Sequence, residues 1–248
     1  MIALTLAAGY ATCLYPLTKD TPKPLLPVQG SRTILDLLLD RLEVLDEVAE
    51  VLIVTNGRFF RAFEQWSQKY RGTKPIRILN DGTTSPEGRL GAIGDIQFAI
   101  GREQIQDDLL VLAGDNVLGF GLEEYLSYFH QVDKDCILVR TVDDIRELRS
   151  VGVAELDAEM RVLSLEEKPQ APRTNIGVFA LYIYKRSTLP LFSRYLAEGG
   201  NPDAPSYFPE WLHSRQEIRA YYTEGAIDDV GTPEAYAEMR ARLGKLAE

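Results

Sequence analysis

The first 141 residues alternate between continuous apolar runs and segments of helical spacing, and this constrains the fold more than any other feature of the chain. The runs are Ile2 to Ala7, Glu50 to Thr55, Ile76 to Leu79, Leu109 to Ala113 and Cys136 to Thr141. Between them, Thr33 to Leu45, Arg58 to Tyr70, Gly91 to Ile100 and Leu122 to Val132 carry apolar residues at helical periodicity. Strands that are apolar throughout are buried on both faces. The expected class is therefore α/β, with a mostly parallel sheet and helices on both faces. In such sheets ligands bind beyond the carboxyl ends of the strands. The loop after Ala7, the loop from Asn80 to Gly88, and Asp115 all fall at such ends.

After Thr141 the pattern changes. Val151 to Leu156 and Val162 to Glu167 alternate around Asp157-Ala158-Glu159 and read as a hairpin. A long strand follows at Ile176 to Tyr184, then short helices at Ser187 to Leu196 and Phe208 to Ser214. Strands are expected at Ile218 to Tyr222 and Ala226 to Val230. Thr232-Pro233-Glu234 opens a last helix to about Leu246, with Thr232 as N-cap.

The stretch from Leu6 to Leu25 carries the first chemical signal. A strand ends in a loop of small residues, and Lys23 then stands between Pro22 and Pro24. Small residues bring backbone N–H groups close to a ligand, and such nests bind anions. A lysine between prolines is a stiffly presented positive charge suited to phosphate. The plain alternative is a glycine turn followed by a surface loop. The stretch lacks the second and third glycines of a dinucleotide fingerprint, and no Gly-Lys-Ser/Thr follows as in a Walker loop. The net charge of −10 and pI near 4.9 argue against nucleic acid or an anionic membrane as partner, but not against a small phosphorylated substrate. No run approaches a membrane span and no signal-peptide pattern opens the chain, so the cytoplasm is the expected compartment. Cys13 and Cys136 allow one disulfide but no disulfide framework. His130 and His213 lie apart, without ligand spacing for zinc. Trp66 and Trp211 read as core or interface aromatics.

Together, Leu-Ala-Ala-Gly at 6–9, Pro-Leu-Thr at 16–18 and Pro-Lys-Pro-Leu at 22–25 resemble the signature of the sugar-1-phosphate nucleotidyltransferases. This superfamily contains the glucose-1-phosphate thymidylyl- and uridylyltransferases. The resemblance implies a Rossmann-like three-layer sheet with an appended sugar-binding hairpin region. It also implies one domain over 1–248, with a nucleotide-binding half at 1–141 and a sugar-binding half at 142–248. In that family the first loop wraps the nucleotide phosphates, which assigns Leu6, Ala7, Ala8, Gly9, Tyr10, Ala11, Thr12 and Cys13 to nucleotide binding. Lys23 takes the role of the phosphate-contacting, catalytic lysine. Gly114-Asp115-Asn116 and Asp229-Val230-Gly231-Thr232-Pro233 match the family's two metal motifs, so Asp115 and Asp229 would hold Mg²⁺, with Asp115 also catalytic and Gly114 beside the nucleotide. Without the resemblance, Asp115 reads equally as a turn or cap residue. Asp228 reads as a solvated neighbour.

Two further regions follow the family. Asp81 and Gly88, with Thr83 behind them, are the candidates for holding the base. Gly152, Glu167, Lys168, Asn175 and Val178 match its sugar-phosphate site, with Glu167 on sugar hydroxyls and Lys168 on the sugar phosphate. Ala180 stands where the thymidylyltransferases carry glycine, and Arg89-Leu90-Gly91 departs from the usual base-loop patterns.

The largest departure is in the loop itself. The family runs Gly-x-Gly-Thr-Arg-Leu; this chain runs Gly9-Tyr10-Ala11-Thr12-Cys13-Leu14. Ala11 for glycine reads as a mild change. Cys13 replaces an arginine that clamps the triphosphate, and a thiol offers none of its bidentate, charge-assisted bonds. Cys13 reads as a small space-filling residue, the mark of an attenuated enzyme, or a chain altered at that position. Arg89 is a surface arginine or a partial substitute for the lost charge.

The resemblance implies nucleotidyl transfer from a nucleoside triphosphate to a sugar-1-phosphate. Mg²⁺ is the implied cofactor, with neither nucleic acid nor membrane as partner. A homo-oligomer is compatible with the sequence. The rival readings are a catalytically weak binding or regulatory protein on the same fold, and transfer to a non-sugar phosphate such as phosphocholine.

Overall fold

The computed structural model describes residues 1–245. In chain order its elements begin with β1 (Ile2–Leu6), β2 (Pro27–Gln29), β3 (Arg32–Thr33), α1 (Ile34–Glu43), β4 (Glu50–Thr55), α2 (Phe60–Ser67), β5 (Ile76–Asn80) and α3 (Ala92–Glu103). Next come β6 (Leu109–Ala113), β7 (Asn116–Leu118), α4 (Glu123–Val132), β8 (Asp135–Thr141), α5 (Ile145–Leu148), β9 (Gly152–Leu156) and β10 (Val162–Glu167). The chain continues through β11 (Ile176–Tyr184), α6 (Pro190–Ala197), α7 (Tyr207–Leu212), β12 (Ile218–Tyr222), β13 (Ile227–Asp229) and α8 (Pro233–Lys245). The fold is α/β, with a central, mostly parallel sheet flanked by helices. No helix among the described residues is long and apolar enough to cross a membrane.

Two compact units interleave along the chain. The first contains Met1–Arg89, Leu112–Leu122 and Gly225–Glu248; the second contains Leu90–Val111 and Glu123–Glu224.

In the first unit β1, β4 and β5 run parallel, with Leu6 opposite Val54 and Thr55 opposite Asn80. This register brings the carboxyl ends of all three strands to one edge. The segments 7–23, 56–59 and 81–88 therefore leave the sheet side by side. The β4 residues 51–55 are all buried, which is why the run is apolar without alternation. α1 starts at a capping box: the Thr33 hydroxyl accepts from the Asp36 N–H while the Asp36 carboxylate accepts from the Thr33 N–H. Its Ile34, Leu35, Leu38, Leu39 and Leu42 form the buried face. Two pairings are too short to be read from periodicity. β2 pairs antiparallel with β3, and β7 pairs antiparallel with β13, placing Asp229 opposite Asn116. Thr232 caps α8 by accepting from the Ala235 N–H at 3.1 Å. Leu246, the expected end of this helix, lies outside the described residues.

The second unit holds the expected hairpin. β9 and β10 are antiparallel, with Gly152 opposite Glu167, and β11 runs antiparallel to β9 with Val178 opposite Gly152. β11 also pairs antiparallel with β8, and β12 lies parallel to β8. α3 begins where expected, after Gly91. Its first N–H groups, on Ala92 and Ile93, are taken by the carbonyls of Asp203 and Pro202 at 3.2 and 2.9 Å. Trp211 is half-buried, stacked on the buried Phe208 at 5.8 Å between ring centroids while its Nε1 donates to Glu198 at 3.1 Å.

Asp135, at the start of β8, is a buried carboxylate that titrates far from its usual range. Burial pushes its carboxyl up to about 6, against hydrogen bonds from the Lys185 N–H, Thr188 and Gln216 that pull it down. A carboxyl whose folded value lies above its unfolded value binds more protons folded than unfolded. Its contribution is fully present below about pH 4 and is lost as pH rises towards 6. The loss amounts to about 3 kcal/mol at neutral pH. Urea unfolding between pH 4 and 7 is expected to show Asp135→Asn gaining stability relative to the parent chain as pH rises. A constant difference across that range would contradict this reading.

Candidate active site

The loop that follows β1 is held from both sides. The Ala7 N–H donates to the Val54 carbonyl at 2.8 Å, and Asn56 Nδ2 donates to the Ala8 carbonyl at 2.8 Å. Leu6 accepts from the Gly114 N–H at 2.8 Å. Gly9 is exposed, and a side chain there would meet nothing within 4 Å, so its backbone faces open space. Tyr10 is buried and its hydroxyl lies 3.3 Å from Thr83 Oγ1, linking this loop to the one after β5. Thr12, Cys13 and Leu14 form a single 3-10 turn; Leu14 is fully buried and Cys13 is exposed. Cys13 and Cys136 are both free thiols, the latter buried.

Ala11 is not the mild replacement that the sequence suggests. It sits in the left-handed region at φ 45° and ψ 44°, where the Cβ of an L-residue crowds the backbone. Thr18 locks it there by donating to the Ala11 carbonyl at 2.6 Å. The strain is of order 1 kcal/mol. Ala11→Gly is therefore expected to raise unfolding stability by up to about 1 kcal/mol in denaturant titration. A loss of stability would show that the conformation is not strained.

The proline-fenced lysine behaves as a placed charge. Lys23 opens a one-turn 3-10 segment after Pro22 and is only 7% exposed. Its Nζ lies 2.8 Å from Asp115 Oδ2. Gly114, just before, admits no side chain: a Cβ would stand 2.9 Å from the Leu6 carbonyl and from Thr5 Cγ2. The β7–β13 pairing then sets Asp229 beside Asn116, the next residue after Asp115. The Asp229 side chain lies outside the described residues. Asp228 is tied to Arg242 of α8, which fits its reading as a neighbour rather than a ligand. One apolar cluster stands behind these segments. It joins Leu14 of the loop, Leu26 beside the lysine turn, Val117 after Asp115, Val230 after Asp229, and Tyr236 and Met239 of α8.

The loop after β5 is built on its own side chains. The Asp81 carboxylate accepts from the Thr83 N–H at 2.7 Å and from the Thr83 hydroxyl at 3.0 Å. Asp81 thus shapes the loop, and Thr83 carries the contact to Tyr10. Gly88 ends a 3-10 turn with only Ser85 Oγ near its open side, at 3.8 Å. Arg89 donates to the Pro86 carbonyl at 2.9 Å and is exposed.

In the second unit Gly152, Glu167 and Val178 meet. A Cβ on Gly152 would lie 3.4 Å from Glu167 Oε2, 3.4 Å from Val178 Cβ and 3.3 Å from Ser206 Cβ. The Glu167 side chain is only 4% exposed, while Lys168, at positive φ, is 57% exposed with its Nζ 3.6 Å from Glu167 Oε1. Asn175 sits just before β11, exposed, with its carbonyl accepting from the Val142 N–H at 2.9 Å. That places it three residues along the chain from Val178 and from the cluster around Gly152.

The sequence profile described as nucleotidyl transferase matches residues 2–245. The chain belongs to the nucleotidyl transferase family. Among curated relatives it is 24% identical over 94% of its length to the bifunctional protein GlmU of Methanocaldococcus jannaschii, and covers 52% of that protein. It is 26% identical over 97% of its length to the glucose-1-phosphate adenylyltransferase of Thermomicrobium roseum, covering 59% of that protein. The chain thus spans about half to three-fifths of the length of these relatives. Among solved structures, a UDP-glucose pyrophosphorylase complexed with UDP-glucose superposes with a TM-score of 0.82 at 19% identity, covering 99% of this chain and 98% of that one. At that identity the likeness is one of fold.

For this nucleotidyl transferase, the structure gathers the residues of the first loop, Lys23, Gly114 and Asp115, with the Asp229 backbone beside them, in the first unit. It gathers Gly152, Glu167, Lys168 and Val178 in the second. Sequence reasoning missed Thr18, Asn56 and Ser206. Thr18 lies inside the Pro-Leu-Thr segment and was open to a capping argument. Asn56 follows a strand end, a position where polar side chains commonly bond the backbone. Ser206 gives no local signal at all.

Proposed function

We propose that this chain transfers a nucleotidyl group from a nucleoside triphosphate to a sugar-1-phosphate, forming a nucleotide-sugar and pyrophosphate. The observation that carries the reading is the contact of Lys23 with Asp115 at 2.8 Å, backed by one apolar cluster that also anchors the loop and the Asp229 strand. A sugar phosphate oxygen attacks the α-phosphorus in line and pyrophosphate departs, with no covalent bond to the protein. The chain's work is placement and charge neutralisation. The exposed backbone around Gly9 offers N–H groups to phosphate oxygens. Lys23, released from Asp115, supplies a localised positive charge.

Asp115 suits Mg²⁺, since a single carboxylate plus substrate phosphates is a common donor set for that ion, and the Asp229 strand brings a second carboxylate residue alongside. Asp115 and Asp229 would hold the metal, which supplies Lewis-acid stabilisation of the phosphoryl charge. Glu167 and Lys168 favour a sugar acceptor over phosphocholine, because a carboxylate accepts from several sugar hydroxyl groups whereas a trimethylammonium headgroup carries no hydrogen-bond donor and is repelled by a lysine. Cys13 favours a second reading, a weakly active nucleotide-binding relative, because the exposed thiol stands where the family arginine clamps phosphate.

Pyrophosphate release over a grid of nucleoside triphosphates and sugar-1-phosphates tests the proposal. Turnover with at least one pair, dependent on both substrates, is the expected result. Nucleotide binding without release for any pair would favour the second reading.

A further inference from the structure

Glu167 is held by two side chains that the family signature does not include. Ser206, 4% exposed and just ahead of α7, donates its hydroxyl proton to Glu167 Oε2. The buried hydroxyl of Tyr182 hydrogen-bonds Ser206 in turn. Burial, with the charge of Glu167, holds the Tyr182 phenol above its ordinary range, so it remains neutral. Ser206 commits its single hydroxyl proton to the carboxylate. From α7, Glu210 Oε2 accepts the Glu167 N–H at 3.3 Å. The fourth side of this nest is Gly152, whose absent Cβ would lie 3.3 Å from Ser206 Cβ and 3.4 Å from Glu167 Oε2.

We propose that Ser206 is a positioning residue for acceptor recognition: it fixes one oxygen of Glu167, so that the other, Oε1, is the one that accepts from a sugar hydroxyl. The inference rests on the sugar-1-phosphate reading of this site. Its physical basis is the burial of Glu167. A carboxylate removed from water and able to rotate reorients towards whatever donor it finds, and its remaining oxygen is then misplaced for a ligand. The Ser206 hydroxyl prevents that by engaging Oε2. Lys168 Nζ stays 3.6 Å from Oε1, outside direct hydrogen-bond range. Ser206 makes no contact with the reacting atoms, and its effect runs through Glu167 alone.

The test is a kinetic double-mutant cycle on the full chain with Ser206→Ala, Glu167→Gln and the double variant, using the sugar-1-phosphate and nucleoside triphosphate that the parent turns over. Ser206→Ala is expected to raise KM for the sugar-1-phosphate about tenfold while KM for the nucleoside triphosphate stays put. The double variant should match Glu167→Gln alone, because Ser206 has nothing left to orient. Should Ser206→Ala fold poorly, Ser206→Cys, a weaker donor of nearly the same size, is expected to show the same selective rise at reduced size. Equal rises in both KM values, or effects that multiply in the double variant, would overturn the proposal. Normal sugar affinity in Ser206→Ala would overturn it too, with the nucleotidyl-transfer reading intact. A parent chain with no turnover on any sugar-1-phosphate would remove that reading first.

Discussion

Asp115→Asn is expected to lower Mg²⁺-dependent pyrophosphate release on the order of 10³-fold or more, the largest effect of any single change in the chain. Asparagine keeps the shape of the side chain and removes the charge. A divalent ion loses an anionic ligand, and the phosphates lose the ion that neutralises them. The same change removes the negative charge beside Lys23, whose Nζ now lies 2.8 Å from Asp115 Oδ2. An ammonium beside a neutral amide is held less tightly than one beside a carboxylate and is a better phosphate ligand. Binding of nucleoside triphosphate in the absence of Mg²⁺ should therefore hold or tighten in Asp115→Asn. Calorimetry with and without the metal separates the two effects. Activity equal to the parent would refute the metal assignment, and a loss of metal-free nucleotide binding would show that the variant has damaged the loop instead.

Cys13→Arg is expected to raise the turnover rate on the order of 10² to 10³-fold. The position tolerates the test. Cys13 is exposed, in a turn anchored by the neighbouring Leu14, and forms no disulfide that would be lost. A guanidinium there adds two directed, charged donors to a loop that now offers backbone N–H groups and Lys23. The gain should fall on the rate with departing pyrophosphate more than on sugar affinity, because the proposed sugar contacts are Glu167 and Lys168. If Cys13→Arg leaves the rate unchanged while the parent is active, this chain has no deficit at that position. The reading of Cys13 as attenuating would then be wrong.

Much of this fold could be read from the sequence because burial on both faces leaves a plain mark. The runs at 2–6, 50–55 and 109–113 are strands in the structure, each apolar and buried over most of its length, and 76–80 is a strand too although Arg77 in it is exposed. β2, β3 and β7 left no such mark, since two or three residues cannot show a period. The β7–β13 pairing, which brings Asp229 beside the Asp115 turn, was thus invisible although both aspartates were recognised. Ala11 was misjudged for a related reason. Alanine carries no sign of the left-handed backbone it is forced into, whereas glycine would have announced it. Ser206 and Glu167 lie 39 positions apart and meet only through the packing of α7 against the hairpin. Asp81 was legible as a residue of the loop after β5, but its use in shaping Thr83 is a matter of local hydrogen bonding that composition does not encode.

The apolar cluster behind the first loop has a consequence for how this site can change. Leu14, Leu26, Val117 and Val230 each sit within a few residues of a chemical group, and all share one packed mass with Tyr236 and Met239. The groups are scattered along the chain, yet they stand on a common plinth. A dense interior transmits strain rather than absorbing it. Drift at any one of these apolar positions, including those on the last helix, is thus felt by the loop, the lysine and the Asp229 strand together. The mutational tolerance of the site is set as much by its unreactive backing as by the residues that touch substrate.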